Sequence, residues 1–276
     1  MAPVRRAAVL GKPIAHSLSP VIHNAGYAAA GLTGWSYTRI ECAAAELPAL
    51  VAGLGPEWAG LSVTMPGKEA ALAVADAASP VAAAAGAANT LVRRPDGSWY
   101  ADNTDVGGMV HVLTDAGVRA GAAMTVLGAG GTARAALAAA ARLACSSVTV
   151  VARRPEAVDE LRQVADALGV ALSAGAWVDA PRHLTADVVV STVPAGVADP
   201  LAETVTWSPG AVFFDAVYDP WPTPLAASAL SAGLRVVSGL DLLLAQALGQ
   251  FEQFTGVAAP VEAMREALRQ ATGRLP

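Results

Sequence analysis

The run Met124-Thr125-Val126-Leu127-Gly128-Ala129-Gly130-Gly131-Thr132-Ala133-Arg134 sets the tightest limit on what this chain can fold into. Four residues read as a strand, the glycines as a tight turn, and the alanine-rich stretch that follows as a helix. In that context G-x-G-x-x-A lets a pyrophosphate approach a helix N-terminus closely, and it belongs to the first crossover of a doubly wound parallel sheet. Gly128, Ala129, Gly130, Gly131 and Thr132 are therefore candidate cofactor-binding residues. A glycine-rich turn without a ligand is the plain alternative, and the strand-turn-helix setting argues against it.

About 20 residues further on, where an acid commonly meets the adenosine ribose of NAD, the next strand ends in Ala152-Arg153-Arg154. Two guanidiniums and no carboxylate suit a 2′-phosphate, held through charge-assisted hydrogen bonds. Arg153 and Arg154 thus predict NADP(H) over NAD(H). Solvated helix-start arginines are the alternative, although positive charge at a helix N-terminus is mildly unfavourable.

The same alternation extends over most of the chain. Strands are predicted at 7–11, 35–41, 60–64, 124–127, 148–151, 187–190 and 212–215, with helical runs such as 20–30, 132–143 and 156–168 between them. The pattern indicates an α/β protein with mainly parallel sheets. Pro95-Asp96-Gly97, between Leu91-Val92 and Trp99-Tyr100, reads as a hairpin turn. A length of 276 residues suits about two domains. No polar linker separates them, and function places the seam near 105: residues 1–105 as a substrate-binding and catalytic domain, 106–238 as a Rossmann-like NADP domain. The helical segments at 239–254 and 260–271 are expected to pack back on the first domain, so that 239–276 completes it and a cleft lies between two lobes.

Lys68 is the leading catalytic candidate. Only Lys12 and Lys68 among eighteen basic residues are lysines, and an ammonium can transfer a proton where a guanidinium effectively cannot. Lys68 lies in Ser62-Val63-Thr64-Met65-Pro66-Gly67-Lys68, where a strand gives way to a turn. A solvated helix-start charge in an arginine-biased sequence is the alternative. Near the start, Ser17-Leu18-Ser19-Pro20 puts two hydroxyls before a proline-started helix, an arrangement able to hold a carboxylate. N-capping by Ser19 accounts for one of them without a ligand. Asp105, in the polar cluster Asp102-Asn103-Thr104-Asp105, can cap the following helix, with Thr104 as the rival cap, a role compatible with a further one. His16 and His23 have no partner legible in the sequence and are read as structural.

Composition excludes several classes. Net charge is −5, with no basic tract to attract nucleic acid. The 54% apolar fraction is largely alanine, and no uninterrupted apolar run reaches the roughly 18 residues of a membrane span. Lys12 and Pro13 interrupt the first apolar stretch too early for a signal-peptide core. Cys42 and Cys145 lack metal-ligand spacing and read as buried filler, so no metal is expected and the cytoplasm is the expected compartment.

Taken in order, the blocks 11–24, 62–68, 86–91, 103–108, 126–135, 191–196, 215–225 and 239–256 closely resemble the shikimate dehydrogenase family over nearly the whole chain. The resemblance implies NADPH-linked, reversible reduction of 3-dehydroshikimate to shikimate on the route to aromatic amino acids. It implies a catalytic pair in Lys68 and Asp105. Ser17 and Ser19, with the hydroxyl of Tyr218, would bind the substrate carboxylate, and Thr64, Asn89 and Gln246 the ring hydroxyls. Ala216 and Gly239 join the cofactor contacts on the same likeness. Without it, Gln246 would read as an exposed amide and Tyr218 as a packing aromatic. Two positions depart from the family pattern: Ala152 replaces an asparagine beside the ribose-side arginine, and Leu242 replaces a methionine at the nicotinamide end. Competing readings are a quinate/shikimate dehydrogenase of broader cofactor use, a non-catalytic NADP-binding sensor, and a methylene-tetrahydrofolate dehydrogenase. The last leaves Ser17, Ser19 and the Asn103-Thr104-Asp105 run unexplained. The expected assembly is a monomer or homodimer.

Overall fold

β-Branched and apolar runs bounded by glycine, proline and small polar residues become the central strands of two separate sheets. The computed structural model describes residues 4–274. Its contacts divide the chain into two units, Met1–Gly107 with Leu243–Pro276, and Gly108–Leu242.

The first unit holds strands β1 (Arg5–Gly11), β2 (Trp35–Glu41), β3 (Trp58–Val63), β4 (Ala77–Ala78), β5 (Thr90–Arg93) and β6 (Trp99–Asp102), in the order β2-β1-β3-β5-β6-β4. Its helices are α1 (Ser19–Ala29), α2 (Leu47–Ala52), α3 (Lys68–Val74) and α4 (Pro80–Ala85), and α5 (Thr104–Asp115) begins in it. The sheet is mixed: β1 runs parallel to β2 and β3, whereas β5 is antiparallel to both β3 and β6. The 95–97 turn makes the β5–β6 hairpin, with Gly97 at φ +86° and Asp96 accepting from the Ser98 N–H at 2.9 Å. Leu10, Leu61, Leu91 and Trp99 fill the core on one face of the sheet.

The second unit holds β7 (Ala123–Leu127), α6 (Gly131–Arg142), β8 (Ser147–Ala152), α7 (Pro155–Leu168), β9 (Leu172–Ala176), α8 (Ala180–His183), β10 (Val188–Ser191), β11 (Val212–Asp215), α9 (Pro224–Ser231) and β12 (Arg235–Val237). All its strand pairs are parallel, in the order β12-β11-β10-β7-β8-β9. Winding therefore reverses between β7 and β10, where open α/β sheets take their ligands. Residues 133–140 of α6 are all buried. Alanine suits such a helix, having high propensity and little bulk to hold neighbours away.

No floppy linker joins the units. The divisions fall between Gly107 and Gly108, inside α5, and between Leu242 and Leu243, inside α10 (Gly239–Thr255). The rest of α10 and α11 (Val261–Thr272) belong to the first unit, where Gly26 of α1 allows close approach to Phe251 and Met264. Three short strands, β4, β9 and β12, escape sequence reading. All sit at sheet edges, and β4 and β9 consist largely of alanine, glycine and serine, so pairing rather than propensity makes them strands.

Candidate active site

In the first unit, the turn after β3 places Lys68 as the first residue of α3. Thr64 N–H donates to Leu10 O at 2.8 Å, Gly67 N–H to Thr64 O at 2.9 Å, and Ala88 N–H to Lys68 O at 2.9 Å, tying this turn to β1 and to the segment before β5. Gly11 is needed here, because a Cβ would lie 2.5 Å from the Thr64 methyl. Asp105 stands in the first turn of α5, and its Oδ2 meets Lys68 Nζ at 2.6 Å. The two side chains are only 13% and 9% exposed, whereas Lys12 is 51% exposed and 3.7 Å from Glu41. Helix-start solvation therefore does not describe Lys68. Nor is Asp105 a cap: α5 already begins at Thr104, and the preceding Asn103 donates its Nδ2 to Ala87 O at 2.9 Å.

The serines also depart from simple capping. Ser19 is the first residue of α1, and no side chain caps that helix. The Ser17 and Ser19 hydroxyls lie 3.3 Å apart, both buried, and Ser19 N–H points to Ser17 Oγ at 3.3 Å. Arg39 grips the Ser17 carbonyl through Nε at 2.8 Å and Nη2 at 2.5 Å. Asn89 and Gln246 are buried, with Asn89 Nδ2 3.4 Å from Gln246 Oε1. Gln246 is thus no exposed amide.

His23 is fully buried and stacks on Tyr37 with ring centroids 4.2 Å apart. Burial pushes its pKa down to about 3 against the opposing effect of Gln250, so it stays neutral in the working range; His16 is exposed. Cys42 is buried and Cys145 half-buried, both free thiols with burial raising their pKa values.

In the second unit, Gly128 adopts φ +104°, and a Cβ there would stand 2.6 Å from Thr192 Oγ1. Thr192 in turn donates both N–H and hydroxyl to Leu127 O at 2.8 Å, locking the loop after β10 onto the end of β7. Gly128 N–H donates to Val151 O at 2.9 Å. At Gly130, the N-cap of α6, a Cβ would meet nothing within 4 Å, and no side chain caps the helix. The space beside Gly130 at the start of this helix is open, which fits a pyrophosphate. Arg153 and Arg154 are exposed at the end of β8, with no carboxylate in the 152–154 run, while Ala152 packs on the core. Leu242 is buried in the core of this unit.

Ala216 and Gly239 are neighbours: a Cβ on Gly239 would strike the Ala216 carbonyl and lie 3.2 Å from the Tyr218 ring. Asp215 holds this loop, accepting from Val217 N–H at 3.1 Å and from the Thr223 hydroxyl at 2.8 Å. Burial raises its pKa against those bonds. Tyr218 thus belongs to the second unit, while the other predicted substrate residues belong to the first. Arg39, Ser62, Tyr37, Gln250 and Asp215 were not singled out in the sequence, since only their spatial partners distinguish them from ordinary strand and helix residues.

A doubly wound parallel sheet with an uncapped glycine loop at its switch point, in a chain whose other unit carries a buried lysine–aspartate pair, defines a dinucleotide-linked oxidoreductase. Comparison with known proteins narrows the class. The family profile described as shikimate dehydrogenase substrate binding domain matches residues 9–91, and the one described as shikimate 5'-dehydrogenase C-terminal domain matches residues 239–269. The shikimate dehydrogenase (NADP(+)) of Moorella thermoacetica is 39% identical, covering 96% of this chain and 93% of that protein. The crystal structure of Mycobacterium tuberculosis shikimate dehydrogenase is 50% identical with a TM-score of 0.87, covering 97% of this chain and 99% of that one. The Thermus thermophilus enzyme, solved with NADP(H) and shikimate, is 32% identical with a TM-score of 0.83, covering 97% and 100%. The chain belongs to the shikimate dehydrogenase family.

Proposed function

We propose that this protein catalyses the NADPH-dependent, reversible reduction of 3-dehydroshikimate to shikimate in aromatic amino acid biosynthesis. The observation that carries the chemistry is the buried Lys68–Asp105 contact at 2.6 Å. NADPH, when bound, supplies the hydride. As negative charge develops on the carbonyl oxygen, the Lys68 ammonium stabilises it and delivers a proton, and Asp105 holds Lys68 in position. Ser17 and Ser19, with Tyr218, hold the substrate carboxylate; Thr64, Asn89 and Gln246 hold the ring hydroxyls. Gly128 to Thr132 cradle the pyrophosphate on the first turn of α6, Arg153 and Arg154 take the 2′-phosphate, and Ala216 and Gly239 border the nicotinamide. Residues 1–105 with 239–276 are then the substrate domain and 106–238 the NADP domain, with 106–107 packing with the first unit and 239–242 with the second.

The retained lysine–aspartate pair favours an enzyme over a non-catalytic sensor, and the absence of an acid at 152–154 favours NADP over the NAD of a broader quinate/shikimate dehydrogenase. Among the described residues no helix is long and apolar enough to cross a membrane; the cytoplasm is the proposed site of action, with the protein as a monomer or homodimer. Steady-state oxidation of shikimate and of quinate, each with NADP+ and NAD+, tests the reading. Turnover confined to shikimate with NADP+ supports it, rapid quinate or NAD+ turnover moves the protein to the broader dehydrogenases, and no turnover favours the sensor.

A further inference from the structure

We infer that Gln250 is a positioning residue for substrate recognition: it braces the Asn89 main chain and the Thr90 hydroxyl within a buried hydrogen-bond chain, holding in place an Asn89 amide whose oxygen is committed to Thr104 and whose N–H faces the ligand. The inference rests on the activity proposed above and concerns a residue outside its machinery. Gln250 lies one turn beyond Gln246 on α10 and is 1% exposed. Both ends of its carboxamide are committed. Its Oε1 accepts from Ser62 Oγ at 2.6 Å, and its Nε2 donates at 3.1 Å to both Asn89 O and Thr90 Oγ1.

Those partners continue in one sense. Tyr37 donates its hydroxyl to Ser62 at 2.5 Å, and the Ser19 hydroxyl is a further neighbour of the same phenol. Ser62, having accepted from Tyr37, donates to Gln250. On the far side, the Thr90 hydroxyl accepts from Gln250 and so gives its own proton to Asn89 Oδ1 at 2.7 Å. Asn89 Oδ1 also receives the Thr104 N–H at 2.8 Å and the Thr104 hydroxyl at 3.1 Å. That oxygen is saturated. Nδ2 gives one hydrogen to Gln246 Oε1 at 3.4 Å and keeps the other for a ligand, so the ligand atom facing Asn89 must accept, as a ring hydroxyl oxygen does.

A carboxamide suits position 250 because the link needs an acceptor at one end and a donor at the other; buried chains of this kind are stronger when every member is satisfied. Leucine there would leave Ser62 without its acceptor, release the Thr90 hydroxyl to rotate, and unlatch the Asn89 main chain. A merely structural glutamine would affect folding without reading which substrate hydroxyl is present.

The test compares wild type, Gln250→Leu and the milder Ser62→Ala, with shikimate and with two analogues, each lacking one of the hydroxyls that is not oxidised. The expected result is a shikimate KM raised about tenfold in Gln250→Leu and about threefold in Ser62→Ala, the scale of one lost buried partner. The KM for NADP+ stays at the wild-type value. The penalty shrinks below about twofold for the one analogue that lacks the hydroxyl facing Asn89, since the interaction being weakened is then already gone. An equal penalty on all three substrates, or unchanged shikimate KM in the folded variants, overturns the inference while leaving the activity standing. If Gln250→Leu does not fold, Ser62→Ala carries the same comparison. Wild-type protein without shikimate turnover overturns the activity itself, and this inference with it.

Discussion

The two units build their sites by opposite means. In the second, the predicted cofactor cradle is mostly backbone: the consecutive residues Gly128 to Thr132 turn from β7 into the start of α6 where the sheet reverses its winding. In the first, the site is side chains gathered from distant segments, Lys68 with Asp105 37 positions away, and Asn89 with Gln246 157 positions away. A backbone site depends on conformation, and any intrusive Cβ damages it. A side-chain site depends on partners, and its failures are specific to the bond removed.

The sharpest way to test that contrast is Lys68→Ala. With the proposed proton donor gone and the proposed binding residues intact, kcat is expected to fall by two to four orders of magnitude, the usual scale of general acid catalysis, while the shikimate KM changes little. Steady-state kinetics decides; a large KM change at intact kcat would reassign Lys68 to binding.

Gly128→Ala probes the other unit and should act without regard to substrate. A methyl at φ +104°, 2.6 Å from Thr192 Oγ1, distorts the loop itself. NADP+ affinity by calorimetry is expected to drop about a hundredfold, with protein stability lowered by roughly 1–3 kcal/mol. Normal affinity would mean that the loop does not meet the cofactor. Arg153→Ala is milder and separates charge reading from loop geometry: the KM for NADPH rises about tenfold, in line with one charge-assisted contact, and that for NADH stays put. Equal changes for both cofactors would show that Arg153 reads something other than the 2′-phosphate.

The smallest effect concerns His23. Its folded-state pKa of about 3 lies below the unfolded value, so the unfolded chain takes up the proton first as pH falls. The stability associated with neutral His23 is fully present above pH ~6.5 and is lost progressively toward about 3. Between pH ~7 and ~5.5 that loss amounts to about 1 kcal/mol. His23→Phe, which keeps a ring against Tyr37, is expected to flatten this part of the urea-denaturation profile; an unchanged slope would assign the acid sensitivity to other groups.

Legibility followed the same division. The central strands were readable because apolar and β-branched runs have no other good use, and β2 and β11 fall at the predicted residues. Edge strands such as β9, reading Leu-Ser-Ala-Gly-Ala, carry no such signal. The glycine loop was readable from its own residues. Asn89 and Gln246 were reached only through the family likeness, and Ser19 and Asp105 resembled caps until the helix starts showed otherwise.

By itself the sequence determined the α/β class, the strand-glycine-turn-helix of the candidate cofactor loop, the arginines in place of an acid and the candidate lysine, because these depend on residue type and on neighbours a few positions away. Only the tertiary structure decided that Lys68 is buried against Asp105, that α10 carries Gln246 and Gln250 into the first unit, and that the Asn89 amide oxygen is fully taken up by Thr90 and Thr104. The first depends on a meeting across 37 positions and the α10 contacts on the chain returning from more than a hundred residues away, and no local pattern encodes the direction of a hydrogen bond between such partners.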